Sequence, residues 1–585
     1  MAALINTLDS TQFGTNGHLE YGWSNNIQEK ILQFSFQLTR TDDCGIIILE
    51  NILIELLTNI KNIIENGNLS EIELGKGYLS ILYRMIGHTR DIISGKGEYK
   101  LTYMMIYTWY TFYTDMACFA INCMVDLGDK TIHPYGSWKD IKYLCDYCKK
   151  KDSENCSLIQ YSIKLINQQL KNDYANLISN SNDISLAAKW APREKSKFGW
   201  LFDLLSIDYF KQYINSANSD AQYKKAVLKC KMEYRKILST LNQKIDTLQI
   251  KQCDKKWSTI DFNTVTSISL LKQKKSFLNI TKNGSERYSN DLDRITCAEN
   301  FKNHIQRAIK GEVEMKGKRV GMGDFTKEAI SLMYSNNCES EIELLNSQWR
   351  DNSTQNDALG NMIAMVDVSG SMDGEPMNVA IALGIRIAEK SLLGKRVMTF
   401  SSNPTWVNLE KYDDFFSQVK VIKNAEWGMN TNFYSALDRI LDAIIQNKMD
   451  PDEVQNMVLV VLSDMQMDAG DSCNKETLYD SMKTKYEIAG IRVNGKPYKP
   501  PHILFWNLKS TSGFPSLANQ PNVSMMSGFS PVLLNTFCQQ GLDALQSCTP
   551  WTVLEEILNN QRYLIMVQND HFQICLLYTS DAADE

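Results

Sequence analysis

One carboxylate and two hydroxyls alternate along Asp367, Ser369 and Ser371, directly after the apolar run Met362 to Val366. The run reads as a buried strand, which puts the alternation on the loop at its end. Oxygen-only ligands suit hard divalent cations: Mg²⁺ first, with Mn²⁺ or Ca²⁺ as substitutes. With few anionic ligands the ion stays electron-poor and takes one more carboxylate or phosphate oxygen from outside. That chemistry points to binding rather than bond-breaking. The competing reading makes Ser369 and Ser371 an N-cap pair ahead of a helix starting near Pro376. Asp373 either adds charge to the site or caps that helix.

Other constellations offer less. Asp464 follows a second apolar run, Met457 to Leu462, and with Asp367 gives a pair of carboxylates for a Mg²⁺-dependent phosphoester hydrolase. No nucleophile or base accompanies them, and no Ser-His-Asp or Cys-His arrangement is visible among the six histidines. The chain therefore reads as non-enzymatic, with the hydrolase as the alternative. Cys145, Cys148, Cys156 and His133 are drawn either as a zinc site or as buried thiols. Gly95 to Gly97 and Lys316 to Arg319 are glycine–lysine loops without P-loop spacing, better read as turns.

The 585 residues imply two or more domains, and 43% hydrophobic with 22% charged residues is a globular composition. A net charge of −6 excludes a uniformly basic nucleic-acid binder. It hides a segment, Lys224 to Lys275, with thirteen basic residues against four acidic. Lys251, Lys255, Lys256, Lys272, Lys274 and Lys275 are its candidate phosphate contacts, unless the segment is simply a solvated helix face. Trp190, Trp200 and Trp257 are stacking candidates or core residues. Fourteen cysteines without framework spacing, and a start that lacks a secretory pattern, place the chain in a reducing, cytoplasmic compartment. Met104 to Val125 is long enough to span a bilayer, but Asp115 and Asn122 make a buried helix the better reading. No membrane partner is expected.

Periodicity divides the chain. Residues 1–30 read as a polar lead-in and 31–335 as an all-α helical array, HEAT-like or an irregular solenoid. Residues 336–360 read as a Ser/Asn-rich linker. From 361 to 563, short apolar strands alternate with helices, which calls for a Rossmann-like α/β domain with a central, mostly parallel sheet. The fold class is thus α plus α/β. In such sheets ligands bind at the carboxyl ends of the strands, where Asp367 and Asp464 fall. Residues 564–574 are unassigned, and Cys575 to Glu585 read as a translated sequencing adapter in place of a native C-terminus.

The loop of Asp367, Ser369 and Ser371 resembles the metal-ion-dependent adhesion site of von Willebrand factor A domains. In that family a threonine follows on a loop before a helix, matched here by Thr431 within Gly428 to Asn432. A second aspartate, matched by Asp464, acts through water. The resemblance implies a cation held by Asp367, Ser369, Ser371 and Thr431, directly or through water, with Asp464 holding a coordinating water. A partner protein would then donate an Asp or Glu. Segments Thr89 to Asp91, Gly95 to Glu98, Tyr135 to Asp140, Leu186 to Pro192, Trp257 to Phe262 and Gly528 to Ser530 resemble uncharacterised proteins of plants and giant viruses. In these a helical region precedes an A-like domain. If the source is viral, the host cytoplasm or a viral factory is the expected location. The two-part plan is similar, more loosely, to the Ro autoantigen (a TROVE region plus an A domain), and this implies binding of structured or non-coding RNA by the helical part.

Overall fold

Every residue of Met362–Asp367 is buried, and the segment is an inner strand of a six-stranded sheet. The computed structural model describes residues 11–14, 17–129, 131–336, 338–400, 403–425, 433–466, 478–511, 513–538, 547–569 and 572. Within these the chain opens with a hairpin, β1 (Thr11–Phe13) and β2 (Leu19–Tyr21). Its helices up to residue 353 include α1 (Ile27–Gln37), α2 (Asp43–Asn66), α3 (Leu69–Arg90), α4 (Tyr99–Phe112), α5 (Trp138–Lys151) and α6 (Ser157–Ile178). They continue with α7 (Asp220–Ile245), α8 (Ser267–Phe277), α9 (Leu292–Ile309), α10 (Met322–Met333) and α11 (Glu339–Ser353).

The C-terminal part then alternates. Strands β3 (Met362–Asp367), β4 (Arg396–Phe400), β5 (Thr405–Asn408), β6 (Val458–Ser463), β7 (His502–Asn507) and β8 (Val523–Ser527) form the sheet. Between and after them run α12 (Glu375–Lys390), α13 (Phe415–Lys423), α14 (Phe433–Gln446), α15 (Leu478–Asn494), α16 (Pro550–Leu558) and α17 (Gln561–Leu564). Strand order is β5-β4-β3-β6-β7-β8, with only the β4–β5 pair antiparallel. The chain is therefore helix-rich, with a mixed sheet at its C-terminal end.

The sheet is buried on both faces, which is why its inner strands are continuous apolar runs rather than alternating ones. Ala364, Val366, Val460, Leu462, Leu504 and Trp506 point into a core shared with α10, α11, α12 and α13. Ile363, Met365, Leu459, Val461, Ile503 and Phe505 point into the other, shared with α14, α15 and the N-terminal helices. Helix α12 lies close against β3 because Gly384 is there: a Cβ would sit 2.5 Å from a Val366 methyl carbon.

Three expectations change. Residues 17–25 are not a loose lead-in, since Tyr21 exchanges backbone hydrogen bonds with Phe514 at 3.0 and 2.8 Å. The expected linker holds α11, whose Leu344, Leu345 and Trp349 are buried. The buried helix expected over Met104 to Val125 is broken at Tyr113 (φ −142°, ψ 82°) into α4 and a shorter helix, Thr114–Cys123. Among the described residues no helix is long and apolar enough to cross a membrane. Residues 575–585 lie outside the described residues.

A buried ionic seam joins the two parts. Asp91, fully buried, accepts from Arg562 Nε and Nη2 at 2.8 and 3.0 Å and from the Tyr563 hydroxyl at 3.1 Å. Arg90 clasps Asp140 through two bonds of 2.9 and 2.8 Å, and the Tyr103 hydroxyl joins them at 2.7 Å. The Lys96 ammonium donates to the Ser35 and Leu38 carbonyls (2.6 and 3.2 Å) and to Ser527 Oγ (2.6 Å). Burial pulls its pKa down to about 7 and the Glu98 charge opposes this. Three acceptors match three donors, so the geometry holds the ammonium form. Removing one partner of a buried pair leaves a charge unpaired, at a cost of about 3–5 kcal/mol. Asp91→Ala should therefore lower stability by about that much in urea denaturation; a loss under about 1 kcal/mol would mean the seam bears little of the fold.

Candidate cation site

The sheet turns back on itself between β3 and β6. From β3 the chain moves outward to β4 and β5, then crosses to β6 on the other side of β3. Loops leaving adjacent strands in opposite directions open a crevice at their carboxyl ends. Asp367 ends β3 and Ser463 ends β6, next to Asp464, so both expected aspartates stand at this crevice.

Asp367 is fully buried. Its Oδ1 accepts from the Ser369 N–H at 2.9 Å and its Oδ2 from the Ser463 hydroxyl at 2.6 Å. Ser369 Oγ and Ser371 Oγ lie 3.1 Å apart, so the two hydroxyls converge as the spacing anticipates. Asp464 is buried too and accepts from the Gln466 N–H at 3.2 Å. Thr431 lies outside the described residues. Phe433, at the start of α14, packs against Phe400 with ring centroids 5.6 Å apart, and Phe400 pairs with Asp367 in the sheet.

Electrostatics set the character of the site. Burial, and next the charge of Asp464, push Asp367 up to about 7, against hydrogen bonds from Ser369 and Ser463. Asp464 is raised by burial and lowered by its bonds to Gln466 and Ser371 and by the charge of Lys509. Two buried carboxylates facing each other repel when both are ionised. A divalent cation among Asp367, Asp464 and the two serine hydroxyls would offset both charges, so the donor set fits one. Among the described residues no three His, Cys, Asp or Glu side chains gather as a metal group, because this set draws half its oxygens from serine.

Two participants lack any local signal in the sequence. Ser463 reaches Asp367 from a strand 96 positions away. Lys509, in the loop after β7, donates from Nζ to the Ser371 carbonyl at 2.7 Å and brings a positive charge to the site. That loop is itself held by the N-terminal part. Asn507 donates to the Phe36 carbonyl at 3.0 Å, and Gln37 Oε1 accepts from the Thr511 N–H at 2.9 Å.

The remaining candidates scatter. Lys274 is buried and paired with Glu328 at 2.5 Å, which removes it from any surface. Lys251 pairs with Asp246 at 3.2 Å and Lys256 with Asp254 at 3.5 Å, while Lys275 donates to the Lys282 carbonyl at 3.0 Å. Lys255 and Lys272 are exposed. Cys145, Cys148 and Cys156 are buried and His133 is exposed on a loop. Lys96 of the first glycine–lysine loop is spent on the seam. In the second loop the Gly317 and Lys318 N–H groups bond Asp351, at 2.6 and 3.0 Å, rather than facing a phosphate.

Two domains of unknown function match the chain, DUF2828 over residues 149–352 and DUF7788 over residues 361–562. The boundary between them falls between α11 and β3. The chain is similar to the uncharacterized protein L728 of Acanthamoeba polyphaga mimivirus, at 28% identity over 472 residues, which spans 78% of this chain and 76% of that protein.

An aspartate whose folded pKa lies above its unfolded value stabilises the fold in its protonated form. For Asp367 that contribution is complete below about 3.8 and is lost as pH rises through about 7. Cation-free protein should therefore melt lower at about pH 8 than at about pH 5.5. Asp367→Asn should melt higher than wild type at the upper pH and lose most of this dependence. Circular dichroism melts in EDTA check it, and equal pH slopes for the two proteins would contradict it. Lys509→Met removes a competing positive charge and should tighten Mg²⁺ binding roughly two- to fivefold in calorimetry.

Proposed function

We propose that the chain is a non-enzymatic binding protein whose C-terminal part is a von Willebrand A-like domain with a metal-ion-dependent adhesion site. The observation that carries this reading is the joint placement of Asp367, Ser369, Ser371 and Asp464 at the crevice where the strand order reverses. The parallel core of the sheet with one antiparallel edge strand supports the same fold. Asp367, Ser369, Ser371 and, through water, Asp464 would hold Mg²⁺ or Mn²⁺, with Thr431 as a further ligand. Bound there, the cation would supply an open, electron-poor position for a carboxylate oxygen of an acidic protein partner.

The chain's own residues prepare that position. Burial keeps water from Asp367, the Ser463 hydroxyl and Ser369 N–H fix its orientation, and the serine hydroxyls add neutral oxygens. Hydrolysis has weaker support. His88 and His502 are buried with other partners, and among the described residues no histidine or cysteine side chain bonds to Asp367 or Asp464. RNA binding through Lys251 to Lys275 also has less support, since Lys274 is buried and Lys251 and Lys256 are paired with aspartates.

Mn²⁺ titration followed by water proton relaxation tests the reading. Wild type should bind Mn²⁺ with a relaxation enhancement that falls when an aspartate-containing peptide displaces coordinated water. Asp367→Ala should lose the ion while keeping the wild-type circular dichroism spectrum. Phosphodiester turnover that disappears in Asp367→Ala would instead establish an enzyme.

A further inference from the structure

Three lysines crowd one indole in the helical part. Lys139 and Lys142, a turn apart on α5, and Lys189, from the helical turn Ala187–Trp190, place their ammonium nitrogens 5.8, 5.4 and 5.7 Å from the Trp190 ring centre. Lys142 also lies 5.1 Å from the Phe198 ring, and Lys197 lies 5.4 Å from it. Among the described residues none of Lys139, Lys142 and Lys189 forms an ion pair. The nearest acidic residues of α5 are engaged elsewhere: Asp140 is turned inward to Arg90, and Asp146 pairs with Lys150 at 2.9 Å. Burial, and next the charge of Lys139, lower the pKa of Lys142.

Lysine stems covering a tryptophan are ordinary surface packing. Packing alone does not explain three like charges converging without a carboxylate, because each raises the cost of the others. An arriving polyanion removes that cost. Tyr143 and Lys197 continue the surface into a cleft of about 400 Å³ lined also by Tyr99, Tyr147, Asp43 and Asp146, where Asp146 pairs with Lys197 at 3.8 Å and Asp43 with Lys100 at 3.2 Å. An indole surrounded by ammonium groups, with further aromatic side chains beside it, is the recognition chemistry of an unpaired strand, whose bases stack on rings and whose phosphates meet the charges. A duplex would meet the lysines but keep its base faces from the rings.

We propose that this surface, centred on Trp190 with Lys139, Lys142 and Lys189, binds single-stranded nucleic acid. It is distinct from the cation site and from the Lys251 to Lys275 segment, and it rests on neither.

The test uses the full chain in EDTA and a fluorescein-labelled single-stranded RNA of about a dozen nucleotides, which is within the site sizes of such surfaces. Fluorescence anisotropy should show salt-sensitive binding by wild type. Combining Lys139→Ala, Lys142→Ala and Lys189→Ala should weaken it at least about tenfold and flatten the slope of log affinity against log salt by about 2. Trp190→Leu should weaken it roughly five- to tenfold and leave that slope unchanged. Lys251→Ala with Lys255→Ala and Lys256→Ala should bind as wild type does. In wild type, a 4-thiouridine oligomer should photocrosslink to a peptide containing Trp190, a readout that needs no variant. The proposal is overturned if wild type does not bind, if the triple variant binds as tightly as wild type, if a duplex of equal length or anionic vesicles compete as well as the single strand, or if crosslinks fall only elsewhere.

Discussion

A fully buried aspartate, Asp91, receiving both nitrogens of Arg562 and the hydroxyl of Tyr563, fixes how the helical part sits on the sheet. A buried ion pair adds little net stability against an apolar substitute, because desolvation offsets its attraction. Its force lies in the arrangements it forbids, since any other docking leaves a charge alone in the interior. Lys96, bonded to the Ser35 and Leu38 carbonyls and to Ser527 of β8, applies the same restriction along the seam, while Arg90 with Asp140 fixes helices within the helical part. Gly528 shows how tight the joint is: its backbone has φ of +116°, and a Cβ there would come 3.3 Å from the Lys96 side chain. The segments Thr89 to Asp91, Gly95 to Glu98, Tyr135 to Asp140 and Gly528 to Ser530 supply most of this seam. Their distinctive spelling is thus accounted for by docking rather than by chemistry.

At the crevice, a proton on Asp367 is favoured by burial, Lys509 brings a positive charge to the Ser371 carbonyl from the loop after β7, and a divalent cation there would offset both aspartates at once. Serine suits the remaining positions because a hydroxyl can donate to a carboxylate, as Ser463 does to Asp367, or offer its lone pairs to a cation. A further carboxylate in place of either Ser369 or Ser371 would deepen the repulsion between Asp367 and Asp464. It would also reduce the ion's remaining affinity for an external oxygen.

The sheet and the loop at Asp367 were legible because their signals are local. Apolar runs ending in oxygen-bearing residues predict strand ends, and the inner strands Met362–Asp367 and Val458–Ser463 follow from runs of this kind. The edge strand Thr405–Asn408 escaped notice because it is four residues long, antiparallel and only half covered. Helix α11 reads as linker in the sequence because its buried face includes Ser347, Gln348 and Asn352. Gln348 is satisfied by the Ser267 and Lys316 carbonyls at 3.1 and 2.7 Å, acceptors some 81 and 32 positions away. Polarity read along the chain cannot register such a bond. The same limit hid Ser463 and Lys509, and it made Lys274 look like a surface charge when Glu328 holds it in the interior.

The seam also reaches the cation loop. Glu375, the first residue of α12, bonds Arg40, whose other guanidinium bonds go to Glu98 at 3.0 and 3.3 Å. Coupling between the two would be reciprocal: whatever moves the loop must disturb Arg40, and the reverse. Its size follows from exposure. Glu98 is almost wholly buried, whereas the Arg40–Glu375 pair is half open to water, where such pairs contribute at most about 1 kcal/mol. That is too little to move a packed two-part protein between states, which takes several times as much. The loop is instead held from below by β3 and β6 and from the side by α1 through Asn507 and Gln37. The crevice is therefore a preformed feature of the docked protein, with the oxygens of Asp367, Ser369 and Asp464 held in place by the packed strands.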